Sequence, residues 1–348
     1  MTSTNALNKN AEPMSVRIDT SVVRSLAVLA VINSHLELYY PRSEAAIGGL
    51  IGLSLFFMAS GIGLNASRRS RTMSFFPWYW RRIVRIHPSV WMSAILVELI
   101  LLSEWQTWRP WNYVDNLLYP LSGYQFLNKL FAYYVPLYFY VRWNSKRKHA
   151  WGILAVVLAC IVTAAPDMVR LWNSNAPLAT GQLNLPFLWA IFFLTMVLGV
   201  WISETNWFQR STNLLVLAAA MVTCGTVYLA LKYVMAKYGL WTWAFLLLYT
   251  TGILTSLLML RLFADPKVVS FCQKSNRLVR AATIGLGTVS LEVYLVHTRI
   301  CEQQIGNALM FPLNVLVFGL VSIALSLVVY WLAEQVRTRL NTIGKRTG

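Results

Sequence analysis

Charge is scarce in this chain of 348 residues: only 12% are Asp, Glu, Lys or Arg, about half the ~25% of a soluble domain. That scarcity excludes a disordered chain, which is poor in apolar groups and rich in charge, and argues against a water-soluble globular enzyme. Acid is scarcer still, with 13 acidic residues against 30 basic ones. Cysteine occurs four times, at Cys160, Cys224, Cys272 and Cys301, with no C-x-x-C pair, which excludes a disulfide scaffold. The four histidines, His35, His87, His149 and His297, lie at different depths of the apolar segments without paired ligand spacing, so no metal is expected. Nor does a cleavable leader stand out. Residues 1–19 are polar and are not followed by the ordered charged, apolar and small-residue regions of a signal peptide, so the first apolar segment is expected to be a retained span. No internal repeat or low-complexity tract is evident.

What is present is apolar: 57% hydrophobic and 14% aromatic residues, with a mean hydropathy of +0.53. Apolar segments fall at 20–40, 46–65, 88–104, 121–141, 150–166, 186–203, 212–231, 240–263, 281–300 and 311–333, each near the roughly 20 residues that cross a bilayer. The fold class expected is all-α, a polytopic membrane helix bundle of about ten spans. Segment four is interrupted by Asn128 and Lys129, and the Trp-rich stretches Trp105–Trp111 and Leu171–Thr180 read as interfacial loops. A tail at 1–19, a membrane domain at 20–335 and a tail at 336–348 complete the organisation.

If every span crosses and the N-terminus is cytoplasmic, most of the basic residues fall inside: Lys9, Arg17, Arg24, Arg68–Arg85, Arg142–Lys148, Arg210, Arg261–Arg280 and Arg337–Arg346. The positive-inside rule therefore puts both termini in the cytoplasm. It also accounts for the net charge of +17 through attraction to anionic inner-leaflet lipid, without a nucleic-acid partner.

A charge at mid-membrane costs at least about 2.5–3.5 kcal/mol, so Arg24, His35, Glu98, Glu292 and His297 each need a reason. If Arg24 and His35 share one helix, eleven steps of about 100° bring them within roughly 20° of one face, about 16 Å apart in height. A snorkelling Arg24 and a His35 bonded to a neighbouring backbone are the plainer alternative. The run Trp80–Pro88 holds Arg81, Arg82 and Arg85 where the second inner loop is expected to enter span three, with Pro88 in the first helical turn. Such a cluster can grip phosphate oxygens bidentately or simply anchor the span. Glu292 and His297, about 140° apart on a helix, cannot both face one point, and Glu292 is as readily structural as catalytic. The glycines around Phe56–Gly61 favour close helix packing.

These pieces, in this order, resemble the acyltransferase-3 family of integral membrane acyltransferases. The family's arginine-ten-residues-histidine motif is similar to Arg24 and His35, and its Phe-Phe-x-x-Ser-Gly signature to Phe56-Phe57-Met58-Ala59-Ser60-Gly61. Its R-x-x-R element, followed by an aromatic or histidine and proline, resembles Arg82-Ile83-Val84-Arg85 and His87-Pro88, and its late tyrosine-leucine-x-histidine resembles Tyr294-Leu295-Val296-His297. Glu334 looks like its glutamate near the end of the last span. Two departures stand out: Leu53-Ser54-Leu55 lacks the acidic residue that often precedes the Phe-Phe pair, and span four lacks the glutamate of one subgroup. With ten spans expected, these 348 residues are expected to leave no room for the extra hydrolase-like domain that some relatives carry.

The resemblance implies transfer of an acyl group, acetyl foremost, from cytoplasmic acyl-CoA to a hydroxyl of a cell-surface or secreted glycan, in a bacterial inner membrane. Acyl-CoA is then the donor substrate, a carbohydrate or lipid-linked saccharide the acceptor, and membrane lipid or a polysaccharide-synthesis complex the surroundings. Arg82 and Arg85, helped by Arg81 and Arg69, would dock the CoA phosphates. Arg24 would hold a phosphate or the pantetheine amides. His35 would serve as general base or carry the acyl group covalently. His297, Glu292, Tyr294 and Ser60 would orient His35 or bind the acceptor. The rival from another class is a saccharide transporter or flippase, which needs no CoA release, although the paired broken helices of transporters are not evident. A scaffold with inherited, idle residues is a third reading.

Overall fold

The computed structural model describes residues 18–70, 73–101, 125–143, 147–174, 185–208, 212–238, 242–302 and 308–346. Every regular element among them is helical: α1 (Ser21–Asn33), α2 (Gly49–Ser70), α3 (Phe75–Ser93), α4 (Gln125–Arg142), α5 (Lys148–Ser174), α6 (Leu185–Glu204), α7 (Leu214–Tyr238), α8 (Thr242–Phe263), α9 (Pro266–Lys274), α10 (Arg277–Thr288), α11 (Ser290–Glu302) and α12 (Leu313–Arg346). Five stretches among them are long and apolar enough to cross a membrane, in α2, α6, α7, α8 and α12, and α10 with α11 makes a sixth if that bent pair is one span. Only 11% of the α7 window is buried inside the protein. A helix apolar all round yet uncovered by its own chain is suited to lipid, where its backbone groups are satisfied internally.

The centre is the contact between α2 and α6. A Cβ on Gly61 would strike the Met196 carbonyl, and one on Gly199 the Met58 carbonyl, so two glycines let the backbones touch. Phe57 fills the space beside this contact, with ring centroids 4.9 Å from Phe126, 5.4 Å from Tyr133 and 5.3 Å from Phe192. A smaller apolar cluster of Leu36, Tyr39, Val97, Val296, Ile300, Phe318 and Val329 closes the other end of α11 and α12.

Three elements depart from the spans expected of the sequence. Helix α1 stops at Asn33, so His35 sits in the turn beyond it and not on the helical face of Arg24. The cause is local: the Asn33 amide donates to the carbonyls of Ala45 and Ile47, and Ser34 Oγ donates to Val31 O. Asn and Ser thus offer the backbone a competing set of bonds, and Gly48 at φ 108° turns the chain back against Ala30.

Helix α3 begins at Phe75, which puts the whole arginine run inside a helix and Pro88 deep within it, not in a first turn. Six residues after Pro88 the winding changes to π-type over Ala94–Leu101, a common device at sites where the helical ladder is disturbed. The segment at 281–300 is two helices meeting at 86°. Gly287 makes the bend workable by lying flat against the Ser21 carbonyl, and Ser25 Oγ donates to Thr283 O at 2.5 Å, so the short α10 is sutured to α1. Of the loops expected near the interface, residues 105–111 and 175–180 lie outside the described residues, and Leu171–Ser174 instead completes α5.

Candidate active site

An open cavity of about 1100 Å³ is lined by residues of α1, α2, α3, α4, α6 and α11. That is at the upper end of the roughly 300–1,000 Å³ of ordinary ligand pockets. Arg24, Arg82, Arg85, Ser60 and Tyr294 all line it, although they come from four separate helices. Three guanidinium groups face one carboxylate, that of Asp19, within this lining. Arg82 Nη2 donates to Ser67 Oγ at 2.9 Å and its guanidinium carbon lies 5.0 Å from the Trp78 ring centroid, so the fork is held by both ends. The Nε atoms of Arg24 and Arg82 are buried with no hydrogen-bond partner among the described residues. Donors left unpaired beside an uncompensated positive cavity favour an anionic occupant. The bend before α11 adds its first residues, Ser290 and Leu291, to the wall, which turns the positive end of a helix dipole toward the same space.

Arg81 is exposed and outside the lining. For Arg69 the backbone lies at the end of α2, and its side chain is outside the described residues, as is that of Glu98.

The imidazoles of His35 and His297 meet. The His35 and His297 rings are 5.2 Å apart, tilted by 59°. His297 is 0% exposed, and its Nδ1 lies 3.0 Å from Val293 O, a contact that requires the Nδ1–H tautomer and leaves Nε2 with a lone pair. That Nε2 is buried without a hydrogen-bond partner among the described residues. His35 is exposed, and its carbonyl accepts from Cys301 Sγ at 2.9 Å, which ties the turn after α1 to α11. Neither imidazole lines the cavity; Tyr294 does, and its ring is 5.7 Å from that of His297.

Glu292 is not part of this pair. It is 2% exposed, accepts from Ser89 Oγ at 2.5 Å and forms a 3.1 Å ion pair with Arg337 Nη2. Arg337 also donates to Ser89 Oγ, to Glu334 Oε2 at 2.9 Å and to Arg85 O at 3.0 Å. One guanidinium from α12 thus binds α3 and α11 together. By sequence Arg337 counts only among the inner-face charges. The available signal was Glu292 itself, because a carboxylate in an apolar span needs a cation.

The family model described as an acyltransferase domain, that of the acyltransferase-3 family, matches residues 17–331. The chain belongs to that family. No curated protein and no solved structure matches it. In this acyltransferase-3 protein the matched region takes in α1 through most of α12, so the arginine-lined cavity and the imidazole pair both fall within the acyltransferase domain.

Proposed function

We propose that this acyltransferase-3 protein moves an acyl group, foremost acetyl, from cytoplasmic acyl-CoA to a hydroxyl of a cell-surface or secreted carbohydrate. The observation that carries the reading is the cavity that gathers Arg24, Arg82 and Arg85 around a space large enough for a polyanionic donor. Phosphates dock on Arg82 and Arg85, and the pantetheine arm runs past Arg24 and Ser60 toward Tyr294. His35, at the exposed end of the imidazole pair, takes the proton of the acceptor hydroxyl as its oxygen adds to the thioester carbonyl. The C–S bond then breaks, and the departing CoA thiolate takes up the proton from His35. His297 sits behind His35 and fixes its orientation.

The topology that suits this chemistry has ten spans, with both termini in the cytoplasm of a bacterial inner membrane. Donor and acceptor then approach from opposite sides. The bias of lysine and arginine toward one set of connections supports that placement.

The test uses membranes given radiolabelled acetyl-CoA. His35→Ala should lower glycan labelling by about 10²–10⁴-fold, the usual contribution of a general base, while the protein still inserts. Arg82→Ala with Arg85→Ala should raise the apparent KM for acyl-CoA. Undiminished transfer in His35→Ala would refute the base, and a lowered kcat with KM unchanged would remove the arginines from donor docking.

A further inference from the structure

The cavity has a guanidinium end and an aromatic end. Ser67 and Arg82 line one end, and Phe56, Phe126 and Tyr294 the other. Along α2, Phe56 lies eleven residues from Ser67, and along α4, Phe126 lies eight residues from Tyr134, or about 16 Å and about 12 Å of helix rise. At that far end the rings close on one another: Phe56 to Phe126 is 5.6 Å and Phe126 to Tyr294 is 5.2 Å. Immediately behind them stand His297, 5.7 Å from the Tyr294 ring, and then His35.

Resting on the acyl-CoA reading above, we propose that Phe56, Phe126 and Tyr294 form the acyl-end wall of the donor cavity and restrict the donor to short acyl groups. With phosphates at the guanidinium end, the thioester and its acyl group arrive at these three rings. An acetyl group ends there, and the Tyr294 ring must swing aside before its carbonyl meets the acceptor hydroxyl at His35. Each further methylene must displace an aromatic ring that is already packed, because interiors are close-packed and tolerate added volume poorly. Phe126 is the central element, since its ring also contacts Phe57 and its removal opens space continuous with the cavity.

The measurement is displacement of radiolabelled acetyl-CoA from the full-length protein in detergent by acetyl-, butyryl- and hexanoyl-CoA. Wild type should bind hexanoyl-CoA at least ten-fold more weakly than acetyl-CoA. Phe126→Ala should shift the hexanoyl-to-acetyl ratio at least ten-fold toward the longer chain, and the milder Phe126→Leu should move it the same way by less. If Phe126→Ala does not fold, Phe126→Leu decides. An unchanged ratio in a variant that retains labelled acetyl-CoA overturns the acyl-end wall and leaves the donor reading intact. A wild-type protein that retains no labelled acetyl-CoA overturns the donor reading, and the wall with it.

Discussion

His297 bears on chemistry because of what its two nitrogens do. Nδ1 is committed to the Val293 carbonyl and Nε2 is buried without a bond among the described residues, beside an exposed His35. A buried unpaired acceptor is costly, by about 1–3 kcal/mol, and such groups persist where they have work to do. His297→Gln keeps a polar side chain but cannot supply the same lone pair at the same place. It should lower kcat by about 10²-fold and leave the KM for acyl-CoA within two-fold of wild type, in the labelled-transfer assay. A change in KM alone would instead assign His297 to donor binding.

Residue types were the most legible part of this site, because arginine and histidine in apolar segments announce themselves by their cost. Their meeting was not legible. Helix periodicity set His35 above Arg24 on one face, whereas the Asn33 and Ser34 side chains end the helix first. It is the fold that delivers His35 to His297 across more than 250 positions of chain.

At the scale of elements, the linkage through Arg337 decides how the site is held. Helix α3 carries Arg82 and Arg85, and α11 carries Tyr294 and His297. Arg337 from α12 bonds to Ser89 and the Arg85 carbonyl on one and to Glu292 on the other. Removing one member leaves the other charge buried and uncompensated, so Arg337→Ala should destabilise the protein by about 3–5 kcal/mol, read as a lowered Tm in detergent. Replacing Glu292 and Arg337 together by methionine removes both charges, and such double replacements are commonly neutral or stabilising. The double variant should therefore recover most of the lost Tm. If it does not, the bonds to Ser89 and to the Arg85 carbonyl, more than the ion pair, hold the helices. Spans were legible as elements wherever an apolar run was long and uninterrupted, as in α6, α7 and α8. Bends were not, because the 86° turn before α11 depends on Gly287 meeting the Ser21 carbonyl, a contact between segments far apart in sequence. Nor was the length of α3, whose first half sets Phe75, Phe76, Trp78, Tyr79 and Trp80 beside Arg81 and Arg82, offers no uninterrupted apolar run, and is helical all the same.

Across the whole molecule, the cation-rich cavity and the exposed imidazole occupy opposite ends of α1: Arg24 is near its start and His35 just past its finish. A donor made in the cytoplasm reaches the cavity only if the start of α1 faces that side, so topology and chemistry make one joint claim. Glu44, exposed in the turn between α1 and α2, and Phe76, 81% exposed at the start of α3, lie at opposite ends of α2 and report on the two faces. In a background with the four native cysteines replaced, Glu44→Cys should react with a membrane-impermeant maleimide in intact spheroplasts. Phe76→Cys should react only after permeabilisation. The reverse pattern would open Arg82 and Arg85 to the outside, where no acyl-CoA is made. The same three guanidinium groups would then have to be explained by an anion that approaches from the exterior, and His35 would face the cytoplasm, on the wrong side for a surface glycan.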